Sequence, residues 1–267
     1  MAKRMKIVTA GRLVYGVCYT MALPSDGAAA RGEKRRISSA ARKAMNLKQS
    51  WQKLELTIAA NFGPKDLHVV LTYDDAHLPP SRERARQLLR KWIKMLRAWR
   101  KARGLPTRYI YVTEQYTDEG ERLHHHVVIN GTGDDYGIIR ELWPYGSNID
   151  IERLDNWDGY EALARYLTKE PAEHGKPHVG DRVWTPSLGL AQPVTESCYV
   201  PDNVTLTAPP GARILENYKD PKENQYGTFQ YIKYLLPEKD AGPAKRGRWK
   251  PDKGGSPPYI FQAGGSV

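Results

Sequence analysis

The sequence predicts an α+β protein, and three observations carry that reading. Two β-like runs, Arg108–Tyr116 and Arg122–Asn130, flank a turn-like stretch, Thr117–Glu121, which is the pattern of a hairpin. A long segment from Ser81 to about Arg103 repeats apolar residues at three and four residue intervals: Leu88, Leu89, Trp92, Ile93, Leu96 and Trp99. Between and around them, short apolar runs bounded by Pro, Gly and Asp alternate with further helical patterns. With 267 residues, 40% of them hydrophobic, the chain can bury one principal domain and a smaller addition.

Taken in order, the segment from Leu13 to Leu23 behind Lys3, Arg4 and Lys6 reads as a first strand. Gly16 and Thr20 interrupt it, and it falls well short of the ~20 apolar residues of a membrane span. A signal peptide ending near Ala28-Ala29-Ala30 is the alternative; the expectation is a cytoplasmic protein with no membrane contact. Pro24 to Arg36 reads as a loop or arm. Ser38 and Ser39 are candidate caps for a helix bearing Leu47, Trp51, Leu54, Leu56 and Ile58, which Asn61-Phe62-Gly63-Pro64 ends. Leu67–Tyr73 is a central strand, and the helix from Ser81 follows. Beyond the hairpin, Pro144-Tyr145-Gly146 is a turn, Asn148–Glu152 a strand, and Gly159–Lys169 a helix stopped by Pro171. Four β-like runs follow: Thr195–Val200, Val204–Thr207, Arg213–Tyr218 and Thr228–Leu236. The division expected is 1–50 for an N-terminal strand, basic loop and helix start, 50–171 for the core, 172–240 for a β-rich extension and 241–267 for a basic, disordered tail.

Charge narrows the function. Lys and Arg exceed Asp and Glu by 41 to 30, a net +11 with a pI near 9.5, which favours a polyanionic partner through counterion release. Much of the excess lies on the Ser81–Arg103 helix, where ten basic residues face a single Glu83. A solvated helix face normally mixes signs, so this helix, with Arg86, Arg90, Lys94 and Arg97, is read as a DNA-backbone face. Only Cys18 and Cys198 are present, which excludes a disulfide scaffold and a zinc ribbon.

The chemistry concentrates in Arg122-Leu123-His124-His125-His126-Val127-Val128-Ile129-Asn130. On a strand His124 and His126 share one face and His125 takes the other. A three-residue loop Asp118-Glu119-Gly120 places Glu114 opposite His124, on the same side of the sheet. Two imidazoles and a carboxylate are a ligand set for a divalent cation. Such a set also serves non-haem iron oxygenases, but Ile129–Thr132 offers no acid after the second histidine, and the charge favours phosphate chemistry. Downstream, Tyr160 falls on the packing stripe of its helix with Leu163, Ala164 and Leu167, whereas Tyr166 leaves that stripe and shares a face with Lys169.

His124-His125-His126 followed by apolar residues, with Tyr166-Leu167-Thr168-Lys169 as a Tyr-x-x-Lys and Leu71-Thr72-Tyr73 upstream, resembles the HUH endonuclease superfamily, and within it rolling-circle replication initiators of phages, plasmids and integrated elements. The resemblance covers residues 50 to 171. The middle slot departs from the family pattern, holding His125 where an apolar residue is usual. The resemblance implies a central antiparallel sheet with flanking helices, ferredoxin- or RNA-recognition-like, here with the C-terminal β-rich extension. It implies His124 and His126 with Glu114 as ligands of Mg²⁺ or Mn²⁺, Tyr166 as nucleophile assisted by Lys169, and Tyr160 as the alternative nucleophile. It further implies nicking of single-stranded origin DNA with a 5′-phosphotyrosine link and a free 3′-hydroxyl for a host polymerase. No Gly-x-x-x-x-Gly-Lys-Ser/Thr is present, so unwinding falls to a host helicase. Two other readings fit the residues: a single-strand binding module without catalysis, and a metal nuclease that uses water.

Overall fold

Alternation and turn chemistry build two antiparallel sheets. The computed structural model describes residues 3–21, 39–117, 120–169, 182–217, 222–224 and 227–238. The chain divides into one compact unit spanning Ser39–Leu190 and another drawn from both ends, Met1–Ser38 with Ala191–Val267. The class is α+β, as the sequence predicts.

In the first unit, helix α1 (Ser39–Asn61) leads into β3 (Leu67–Leu71), α2 (Arg82–Lys101), the hairpin β4 (Tyr109–Thr117) and β5 (Gly120–Ile129), α3 (Tyr136–Glu141), β6 (Ile149–Arg153), α4 (Glu161–Tyr166) and the short β7 (Thr185–Pro186). The sheet runs β6-β3-β5-β4-β7, every pairing antiparallel. β5 takes the middle because Leu123–Ile129 is buried on both faces. One face carries Leu67, Val69, Leu71, Tyr111, Val127 and Ile129 against α2 and α3, around a fully buried Trp92. The other carries Ile110, Val112 and Val128 against Trp51, Leu54 and Ile58 of α1 and Ala164 of α4. Each fully buried aliphatic side chain contributes about 1.5–3 kcal/mol, so both helical layers are held by their apolar stripes.

Local signals explain the boundaries. Ser81 accepts the backbone N–H of Arg84 at 3.2 Å and caps α2 directly after Pro79-Pro80. At the predicted turn, an added Cβ on Gly146 would lie 2.4 Å from the Thr72 carbonyl oxygen, so only glycine fits. Gly159 has φ +76°, which forces the last helix to begin later than predicted, at Glu161. α3 is a helix that the periodicity does not reveal, being only six residues long.

The second unit corrects the reading of the N-terminus. Instead of one strand there are two, β1 (Lys3–Ala10) and β2 (Leu13–Thr20), joined at Gly11 with φ +56°. The basic residues of β1 concealed its alternation. These strands pair with β8 (Val194–Val200) and β11 (Gly227–Leu235), and β9 (Arg213–Asn217) and β10 (Lys222–Asn224) join β11. The C-terminal strands therefore form their sheet with the N-terminal hairpin. Val204–Thr207 is not a strand; Val204 and Leu206 pack over Met5, Ile7 and Cys18 instead. The expected arm at 24–36 and tail at 241–267 lie outside the described residues. No helix among the described residues is long and apolar enough to cross a membrane.

Candidate metal centre

Register brings the ligand set together by a different route from the one expected. The hairpin is tighter than a three-residue loop, with Thr117 paired to Gly120, and an irregularity between Glu114 and Tyr116 restores the offset. Glu114 consequently lies opposite His124, and Val112 opposite His126. Glu114, His124 and His126 are all buried, and their ligand atoms lie within 4.8 Å of one another. The Nε2 atoms of His124 and His126 stand 3.5 and 3.6 Å from Glu114 Oε2, too far for good hydrogen bonds. Neither Glu114 oxygen has a hydrogen-bond partner, nor does His126 Nε2. Buried polar atoms without partners are costly, and a divalent cation among them would satisfy all of them. The residues fit a metal.

The remaining ring nitrogens fix the tautomers. His124 Nδ1–H donates to the Arg122 carbonyl at 3.0 Å, freeing Nε2. His126 Nδ1 is 3.2 Å from Nε2 of His68 on β3, and with Nε2 ligating, Nδ1–H donates to His68. Sequence reasoning missed His68, although alternation along Leu67–Leu71 places it on the ligand face opposite Val128. Burial keeps Glu114 from being easily charged, but the two imidazoles outweigh it and hold its pKa down at about 2, so it ligates as a carboxylate. Replacing His68 with Ala is expected to weaken Mn²⁺ binding about 10- to 100-fold by calorimetry while leaving a folded protein; unchanged affinity would remove His68 from the site.

His125 faces the other way. Its Nε2 lies 2.7 Å from the Tyr73 hydroxyl and its Nδ1 2.9 Å from Thr113 Oγ1. A histidine in the slot usually held by an apolar residue is thus satisfied at both nitrogens, and Tyr73 of the Leu71-Thr72-Tyr73 stretch braces the ligand strand from behind. Burial, chiefly, lowers His125 to about 3 and His68 to about 4. Between these values and the ordinary 6.5, the unfolded chain binds protons that the folded chain does not, so stability falls as pH is lowered through that window. Urea unfolding in EDTA should show the midpoint dropping steadily from about pH 6.5 to about 4; a flat profile would contradict it.

Tyr166 stands beside this cluster. Its ring centroid is 5.1 Å from that of His126 and 6.4 Å from that of His68, and it is 43% exposed. Lys169 Nζ sits 4.7 Å over the Tyr166 ring. Tyr160 is buried in the layer between α1 and α4, its hydroxyl donating to the Phe62 carbonyl at 3.2 Å. The helix turn thus divides the two tyrosines between core and site.

The basic helix is placed on the opposite face of the sheet, against the Leu67–Ile129 layer. Arg90, Lys94 and Arg97 are exposed and Arg86 is half-buried. Arg100 does not belong with them: it is fully buried and pairs with Asp135 at 2.7 Å. Arg97 lies over the Tyr109 ring at 5.9 Å.

The fold and site together define an α+β domain with a candidate two-histidine, one-carboxylate metal centre beside an exposed tyrosine. Residues 66–171 match the family model of the replication-associated protein ORF2 group, a stretch running from β3 through α4. That match supports a replication initiator. No curated protein and no solved structure matches the chain.

Proposed function

We propose that the chain initiates rolling-circle replication by nicking single-stranded origin DNA through Tyr166. The observation that carries the reading is the position of Tyr166, solvent-accessible and against His126, one face of a buried ligand set that lacks internal partners. Glu114, His124 and His126 would hold Mg²⁺ or Mn²⁺, which when bound draws charge from the non-bridging oxygens of a phosphodiester. Tyr166 Oη attacks phosphorus as its proton departs, the bond to the 3′ oxygen breaks, and that oxygen leaves as a hydroxyl once protonated. The phosphate stays on Tyr166 through the 5′ side of the cut, and the reverse attack rejoins strands without a nucleotide cofactor. A tyrosine ordinarily titrates near ~10, so the Lys169 ammonium over its ring favours the phenolate. The host would supply helicase and polymerase.

Incubating the protein with end-labelled single-stranded DNA and Mn²⁺, then separating under denaturing conditions, tests this. A protein–DNA band supports it. Free cleavage products alone would favour a water-using nuclease, and binding without cleavage a single-strand binding module. The α2 residues Arg90, Lys94 and Arg97 would track DNA phosphates away from the cut. Replacing all three with Gln should flatten the salt dependence of single-strand binding by roughly 2 in log–log slope and leave cleavage at saturating DNA little changed. An unaltered slope would take α2 out of the interface.

A further inference from the structure

We propose that the open face of the sheet built from β1, β2, β8 and β11 is a separate platform for single-stranded nucleic acid. The pairings align two rows of side chains across four strands. One row reads Tyr199, Arg4, Tyr19, Phe229, and the next reads Ser197, Lys6, Val17, Tyr231. All of these point to one side because alternate residues of a strand share a face and paired residues share it across strands.

The reverse side is accounted for. Val14, Ile232 and Tyr234 there are covered by Leu206, Ala208 and Ala212, and Met5 and Cys18 by Val204 and Leu206. Among the described residues of this unit, nothing comparable covers the two rows. Tyr199 is 69% exposed and Phe229 37%, and Lys6 is exposed. Exposed aromatics of this size on a sheet surface mark a binding site more often than a packing defect.

Charge selects the occupant. Among the described side chains, the two rows hold two cations and no carboxylate. The first acid on this face is Glu216, which lies across from Lys233 one row beyond Tyr231, and Lys233 Nζ is itself over the Tyr15 ring at 5.3 Å. Arg4 Nη2 donates to Ser197 Oγ at 3.2 Å, a contact that holds its guanidinium over the sheet surface between the two rows. Aromatic rings interleaved with cations on an antiparallel sheet suit unpaired bases, which stack on the rings while their phosphates meet the ammonium and guanidinium groups. A protein partner would meet a face with only Val17 as an aliphatic anchor in these rows. Neither the metal centre nor Tyr166 takes part, so the inference stands apart from the nicking reading.

The test uses the full chain in EDTA, where no cleavage occurs, with fluorescein-labelled dT15 and rU15 followed by anisotropy. Tyr199→Ala with Phe229→Ala should weaken binding of at least one of them about tenfold or more. Tyr199→Phe with Phe229→Tyr, which keeps both rings, should stay within about twofold of wild type. The tighter of the two oligonucleotides identifies the sugar preferred. Lys6→Gln should lower the single-strand salt slope by about 0.7, a readout that survives if the alanine pair unfolds. Photocrosslinking with 5-iodouracil should label peptides carrying Tyr19, Tyr199 or Phe229. Wild-type affinity in a folded alanine pair, an unchanged slope in Lys6→Gln, or crosslinks confined to residues 39–190 would overturn the proposal. So would preference for a duplex, or a wild-type dimer that the alanine pair dissolves with nucleic-acid affinity unchanged, which would give the face to a second copy.

Discussion

Tyr166→Phe is expected to abolish the covalent protein–DNA product while Mn²⁺ binding and folding remain as in wild type. The change removes one oxygen from a side chain that is 43% exposed and packs edge-on against His126, so the ring contacts survive and only the nucleophile is lost. Loss of a nucleophile costs on the order of 10³-fold or more in the chemical step. Tyr160→Phe is the matched control. It deletes one hydrogen bond to the Phe62 carbonyl within a packed layer, which costs about 1 kcal/mol of stability and should leave adduct formation intact. If the two variants behaved the other way round, the metal centre could stand but the nucleophile would be reassigned.

The second large effect is expected at Glu114. Glu114→Gln preserves volume and removes the charge between His124 Nε2 and His126 Nε2. Mn²⁺ affinity should fall by about 100-fold or more, since a ligating carboxylate is lost outright. The thermal readout is independent of catalysis. Wild type should gain about 2.7 kcal/mol of stability at a Mn²⁺ concentration about 100 times its dissociation constant, seen as a rise in Tm, and the variant should gain almost nothing at that concentration. A variant that responded to Mn²⁺ like wild type would remove Glu114 from the ligand set.

What was legible in the sequence divides along physical lines. Period-2 and period-3.6 patterns long enough to repeat themselves reported α1, α2, β3, β4 and β5 within a residue or two at most ends, because burial of one face imposes them. The meeting of Glu114 with His124 was also legible, yet the turn differs from the one assumed and a compensating irregularity between Glu114 and Tyr116 restores the pairing. A sequence does not announce such a bulge. His68 was missed because a lone histidine in an apolar strand carries no signal until its neighbour across the sheet is known. The burial of Arg100 was hidden for a similar reason: Asp135 lies 35 positions away. β1 was overlooked since its Lys3, Arg4 and Lys6 read as a charged flank, although Met5 and Ile7 alternate to the covered face.

The account rests on a phenol beside a metal-binding trio doing the cutting. The most direct measurement is peptide mass spectrometry of the product trapped after Mn²⁺-dependent reaction with a single-stranded oligonucleotide and nuclease trimming. A nucleotide-sized mass on the peptide containing Tyr166, with the phosphate attached to that residue, is the predicted result. Cleaved DNA bearing free 5′-phosphates with no modified peptide, or the modification on a residue far from His124 and His126, would contradict it.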